Sequence, residues 1–416
     1  MNRRLLAVAA AVLVAGCPRP APFEPVTGMP VIRVGIVVDQ PSADVTSTGQ
    51  WRVLGADGAI VAVVDAGVAW HLQTGDGPND VRLVRPDRPE PLTLAAPVTI
   101  RPDQPAALVV IGGRRYRGDA TVIRGSTGIT VVNRVPLEWY VASVTTAELG
   151  LRSPDARQAV MAQAVAARTY ALHFRGRREA LGFDLYATVA DQVYPGADSE
   201  KPEVTAATRD SYGQFLAWRG LPIEAVFHST CGWSTEAADQ VFRNGPRLPY
   251  LRAVSDRFGP GPRDYWCAAS PNFRWTEAWD AAALTAVLAR TLPAVLGPTA
   301  ANLGGGRVTD IAVTKTTPSG RVAELVVTTT AGTYTVESWQ VRDVLQTAAG
   351  PLRSTLFQLH VEKQGGELAR VEAAGAGAGH GVGMCQWGAI GRARAGQTYE
   401  QILATYYPGT SMERLY

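Results

Sequence analysis

The sequence predicts an α+β fold in which a helical segment packs on β structure, with β-rich portions before and after it. Three observations carry this. Apolar residues alternate in short runs between turn residues over 31 to about 135; the apolar spacing then becomes helical from Pro136 to beyond Tyr170; and alternation returns from Val308 to Val336. The 416 residues suffice for two or three cores, and 46% hydrophobic against 19% charged residues describe a globular protein. The net charge of +3 is small, and without a dense basic run nucleic acid is not an expected partner.

Arg3 and Arg4 precede the apolar run Leu5–Ala15, which is too short to span a bilayer and ends at Val14-Ala15-Gly16-Cys17. This resembles the lipobox of bacterial lipoproteins, in which the cysteine thiol is acylated and becomes the mature N-terminus. Residues 1–17 are therefore expected to be a lipoprotein signal peptide, Cys17 the lipidation site, and residues 18–30 a Pro-rich tether. The expected location is the cell envelope, outside the cytoplasm, with the lipid as membrane anchor.

Val31–Val38 reads as a first strand and Asp57-Gly58 as a hairpin turn. Ala107–Ile111, Ala120–Arg124 and Gly128–Asn133 are further strands. Pro136–Gly150 reads as a helix, with Leu137, Tyr140, Val141 and Val144 on its apolar stripe and Gly150 as its stop. A second helix is expected from a Ser153 cap and Pro154, with Ala156, Val160, Ala164, Ala167 and Ala171 inward. Further helices are expected near Lys201–Tyr212, over 276–295, from a Ser338 cap to Leu345, and from the Thr398/Gln401 capping box to Pro408-Gly409. The expected regions are 31–125 (β-rich), 126–300 (catalytic) and 301–416 (β-rich, with the last helix).

The block His380-Gly381-Val382-Gly383-Met384-Cys385-Gln386-Trp387-Gly388-Ala389 sets polar groups and an aromatic ring among glycines, which let a backbone turn tightly or approach a neighbour. It aligns with three other segments. These are Val135–Tyr140 with Ala147-Glu148-Leu149, then Gln158–Tyr170, then Phe227-His228-Ser229-Thr230-Cys231-Gly232. In that order, and with Tyr406–Thr410 after them, they resemble the stage II sporulation protein D/LytB (amidase enhancer) family.

The resemblance implies a peptidoglycan lytic transglycosylase, cleaving between N-acetylmuramic acid and N-acetylglucosamine in glycan that lacks stem peptides, with Glu148 catalytic. On pattern alone a glutamate in a last helical turn is more often simply solvated; the resemblance makes the assignment. The chemistry is consistent with it: a carboxyl of raised pKa can protonate a glycosidic oxygen, and the sugar's own 6-hydroxyl can serve as nucleophile. Gln163, Arg168, His228, Ser229, Thr230, His380, Gln386 and Trp387 are the candidate substrate-binding residues. Arg168 pairing structurally with a carboxylate, and Trp387 serving as core, remain open alternatives. Glu138 is a rival carboxylate in the first helical turn, where negative charge is favourable for structural reasons. The other functional reading is a non-catalytic wall-binding activator of an N-acetylmuramoyl-L-alanine amidase. Peptidoglycan strands are then the expected partner, with a cell-wall amidase as a second.

Beyond Cys17 three cysteines remain, which suggests one disulfide, assigned to Cys231–Cys267, and a leftover thiol at Cys385. His228, Cys231, His380 and Cys385 are a legal zinc set, but their spacing is no tight finger pattern. Some relatives bind zinc through Cys and His before a Gln-Val-Tyr segment; here Asp184–Asp191 holds neither. No metal and no cofactor are expected. A Cys385 nucleophile with His380 as base is the remaining alternative.

Overall fold

The computed structural model describes residues 28–150, 153–242, 245–297, 300 and 306–416. The signal peptide, Cys17 and the tether up to residue 27 lie outside the described residues. Among the described residues no helix is long and apolar enough to cross a membrane.

The fold is α+β, built around three apolar cores. The first lies between two sheets. Strand Val31–Gln40 pairs antiparallel with Ile129–Pro136, which continues through Asp119–Arg124, Val98–Pro102 and Trp51–Leu54 to Ile60–Val64. The facing six-stranded sheet runs from Arg114–Tyr116 to Arg88–Ala95. Alternation places Ile32, Val34, Val98, Ile100, Val122 and Val131 inward, each fully buried. Trp51 and Trp70 meet between the sheets with ring centroids 5.5 Å apart.

Helix α1 (Leu137–Glu148) follows directly from the Ile129–Pro136 strand. It ends where Gly150, at φ +64°, turns left-handed and donates its N–H to Thr145 O. Helix α2 (Arg157–His173) is preceded by a 3₁₀ turn, Pro154–Ala156. Ser153 was expected to cap it, but the Ser153 hydroxyl turns to Asp155 instead. The expected inward alanines are buried, yet so is every residue from Ala159 to Ala171, because α2 is enclosed on all sides. It packs on α1, on α3 (Pro202–Asp210) and on strand Gln214–Trp218. Two C-terminal helices complete its surroundings, described below.

After Phe273 the chain leaves the second core, which includes α2 and α4 (Ala238–Val241), and builds a third. The helix expected over 276–295 begins only at α5 (Ala281–Leu296); Trp275–Asp280 is a strand paired with Glu367–Gly375. Trp275 and Trp279 are four residues apart, a spacing that falls on one face of a helix and of a strand alike. The side chain of Asp280 caps α5 by accepting from Ala283 N–H at 2.7 Å. The predicted strands after Val308 form a three-stranded sheet, Val308–Thr316, Val322–Thr329 and Gly332–Glu337. Helix α6 (Gln340–Val344) starts after Trp339 rather than from a Ser338 cap.

The last stretch returns to the second core with α7 (Gln386–Arg394) and α8 (Tyr399–Tyr406), both against α2. Thr398 and Gln401 form the expected capping box. Strand Ser411–Arg414 then pairs with Gln214–Trp218. The three cores therefore divide the chain differently from the regions expected: residues 275–296 join the third core, and residues 382–407 close the second.

At the crossing of α1 and α2, Arg168 and Glu138 make a bidentate pair, both contacts 2.7 Å, with each side chain fully buried. Glu138 also accepts from Gly213 N–H and Tyr416 O–H, and Arg168 donates to Gln214 O. Arg168→Ala strands a buried carboxylate and should cost about 3–5 kcal/mol, read as a lowered midpoint in urea unfolding with unchanged slope.

Candidate functional site

Glu148 occupies the last turn of α1, half-buried. Val193 donates its backbone N–H to the Glu148 carboxylate at 3.0 Å, and the side-chain amide of Gln386 donates to it as well. Burial raises the Glu148 carboxyl above the usual glutamate range, and these two donors only partly offset it. Glu148 makes no ion pair among the described residues. The same Gln386 amide reaches Gln163 Oε1 at 3.4 Å. Gln386 of α7 thus links Glu148 of α1 to Gln163 of α2, although 223 positions separate Gln163 from Gln386.

Two buried side-chain nitrogens, Gln163 Nε2 and Gln192 Nε2, have no hydrogen-bond partner among the described residues. Unpaired buried donors cost stability. Gln192 neighbours Val193 and accepts from Tyr140 O–H at 2.9 Å. It also lines a cleft of about 440 Å³, with Tyr170, Phe227, Phe242, Trp339 and His380. Trp387 is half-buried at the first turn of α7, its backbone N–H bonded to Ser229 O.

The other expected site residues are placed less favourably. Arg168 is enclosed with Glu138 and spends its donors there and on Gln214 O, so it is a structural cation and not a sugar-binding group. Thr230 is buried, its hydroxyl held by Ser270 at 2.6 Å; the Ser229 hydroxyl contacts that of Thr230. His380 Nε2–H donates to Phe227 O and its Nδ1 accepts from Val382 N–H, so both nitrogens are engaged. Burial, with His228 nearby, pushes the His380 imidazole down to about 3, which keeps it neutral. His228 Nδ1–H donates to Val382 O, leaving a buried Nε2 with no partner.

The glycine-rich block owes its shape to backbone crowding. Gly383 sits at φ +69°, and a Cβ there would lie 2.1 Å from Val226 O. This close approach lets Met384–Cys385 pair in parallel with Phe227–His228. The pairing delivers Cys385 to Cys231 and Cys267. The disulfide expected between the latter two is not formed: both are free thiols with sulfurs 3.6 Å apart. Cys385 is no leftover but the third member of the cluster, and Asp256 is the fourth. Nothing in the sequence around Asp256 signals this, because its neighbours come from residues 267, 385 and 406. The Val193 N–H was equally illegible; Gln192-Val193-Tyr194 stood out only as a landmark.

In the stretch before Gln192-Val193-Tyr194, Asp184 pairs with Arg33 and Asp191 with Arg178, both carboxylates covered from solvent.

A family model described as Stage II sporulation protein matches residues 125–218, and another described as Domain of unknown function (DUF8618) matches residues 262–383. The latter range contains most of the third core. An uncharacterised protein of Brachyspira hyodysenteriae is 30% identical over 304 residues, covering 73% of this chain and 73% of its own length. Stage II sporulation protein D of Bacillus subtilis is 28% identical over 296 residues, 68% of this chain and 75% of that protein. The amidase enhancer of the same organism is 28% identical over 281 residues, 61% of this chain but only 38% of its own length. The chain thus carries a Stage II sporulation protein domain that holds α1 and α2, and it is similar to such relatives along most of its length.

Proposed function

We propose that this protein is a peptidoglycan lytic transglycosylase, with Glu148 as its acid and base. The observation that carries the reading is a half-buried carboxyl with a raised pKa, free of any ion pair among the described residues and held by two N–H donors. In the proposed reaction, protonated Glu148 gives its proton to the glycosidic oxygen between N-acetylmuramic acid and N-acetylglucosamine. The departing alcohol carries that proton away. The carboxylate left behind takes the proton of the muramoyl 6-hydroxyl as that oxygen attacks the anomeric carbon, closing a 1,6-anhydro ring. A second carboxylate is unnecessary because the nucleophile belongs to the substrate, unlike the two-carboxylate glycosidases. The unpaired amides of Gln163 and Gln192 are donors suited to sugar hydroxyls or acetamides, and Trp387 is a ring for stacking on a sugar face. The lipid on Cys17 would hold the enzyme at the cell envelope, and glycan without stem peptides is the proposed substrate.

A second reading rests on the relative named amidase enhancer. The same groups would then hold glycan without cutting it, for a cell-wall amidase to act on.

Three outcomes are expected. Purified protein incubated with sacculi, intact and amidase-stripped, releases anhydro-ended glycan visible by mass spectrometry, and Glu148→Gln lowers the rate by about 100-fold or more. Release undiminished in the variant would sink the assignment; glycan binding without release by either protein would favour the enhancer. Because the acid form is the reactive one, kcat/KM should fall as pH rises through the raised pKa of Glu148. Gln386→Ala removes a donor that favours the carboxylate, so that alkaline limb should move to higher pH. Finally, Cys17→Ser should shift the protein from the membrane fraction to the soluble fraction on cell lysis.

A further inference from the structure

We propose that Cys231, Cys267, Cys385 and Asp256 form a closed tetrahedral site for one zinc ion, which anchors the start of α7. The inference is independent of the catalytic reading. The three sulfurs and an aspartate oxygen lie within 4.8 Å of one another, and all four residues have no exposed surface. Zinc–sulfur bonds of about 2.3 Å in a tetrahedron put sulfurs about 3.8 Å apart. The Cys231 and Cys267 sulfurs are 3.6 Å apart, close to that edge and far from the roughly 2.05 Å of a disulfide.

The surroundings are those of an anionic centre. Cys385 Sγ accepts backbone N–H groups from Cys231 and Gly388, both at 3.2 Å, and stands at the N-terminus of α7. Such donors favour a thiolate. Asp256 is oriented on both oxygens: Tyr406 O–H donates to Oδ1 at 2.7 Å and Cys267 N–H to Oδ2 at 2.9 Å. Each oxygen has a further lone pair for a metal, and fixed second partners of this kind are what position metal-binding carboxylates.

Positive charge is buried alongside. Arg321, 2% exposed, makes no ion pair among the described residues; its Nη2 donates to the carbonyls of Cys231 and Ser234, and its Nε has no partner. Arg392 approaches Asp256 Oδ1 at 3.8 Å. A buried guanidinium favours negative charge nearby, and Arg321 is influenced by the Cys231 and Cys385 sulfurs as well as by Glu236. Zinc held by three thiolates and a carboxylate carries roughly two net negative charges, and these two arginines offset them. Four protein ligands leave no open position, so the site is structural. Its consequence is mechanical: Cys385 is followed directly by Gln386, whose amide bonds Glu148, and by Trp387.

The test uses the full chain, purified without chelator and without an affinity tag that binds metal. Elemental analysis should give one zinc per chain. After removal of zinc under reducing conditions, cobalt(II) should rebind at one equivalent with sulfur-to-cobalt charge-transfer absorption. Cys385→Ser should weaken cobalt binding at least 10-fold and diminish that absorption. Asp256→Asn keeps the shape and should alter the cobalt spectrum while leaving the thiolate bands. Refolded wild-type protein that binds neither metal, with all three thiols open to alkylation, overturns the proposal. A Cys231–Cys267 disulfide found by mass mapping of the protein as isolated overturns it too.

Discussion

Burying a full charge is among the most expensive things a fold can do, and this one encloses a glutamate and an arginine completely. The Glu138–Arg168 pair is tolerable only because every neighbour cooperates. Gly213, Gln214 and Tyr416 complete the hydrogen bonding, so the strand at 214–218 and the C-terminal residue must be in place for the pair to be satisfied. The pair fixes one end of α1 against α2. Because α1 is a rigid rod of 12 residues, fixing Glu138 also places Glu148 at its far end. A bidentate contact restricts rotation as well as distance, which a purely apolar contact would do less well.

The second consequence is topological. The third core, over residues 275–373, is inserted between parts of the second, and the chain must return from it to finish α2's surroundings. The return is made through residues 376–385, where backbone pairing to 227–230 replaces bulky packing. Glycine is required where that pairing brings Gly383 against Val226 O. Gln386 comes next in the chain, so the loop's register delivers the amide that bonds Glu148.

Much of this was legible locally. The Thr398/Gln401 capping box and the Gly150 stop were readable because their interactions span five residues or fewer. Strands at Val31–Gln40, Val109–Ile111, Asp119–Arg124 and Ile129–Pro136 were readable as short apolar runs between turn residues, whereas those from Ser42 to Pro102 were not placed one by one. The errors fall where the deciding partner is remote. Trp275–Asp280 became a strand because Glu367–Gly375 lies beside it, and the Ser153 hydroxyl found Asp155 in place of the helix. Of the two roles open to Arg168, its pairing with Glu138 is the one formed; that contact needs two helices to cross, which no spacing rule contains.

What the sequence alone determined is the α+β class, most helix limits, and the short list of polar residues from which a site could be made, since those follow from periodicity and from side-chain chemistry. What only the tertiary structure decided is membership. Gln386 and the Val193 amide hold Glu148, Gln163 joins them through Gln386, Arg168 pairs with Glu138, and Cys385 joins two thiols and Asp256. The reason is that desolvation and hydrogen bonding act over a few ångströms in space, whatever the separation along the chain.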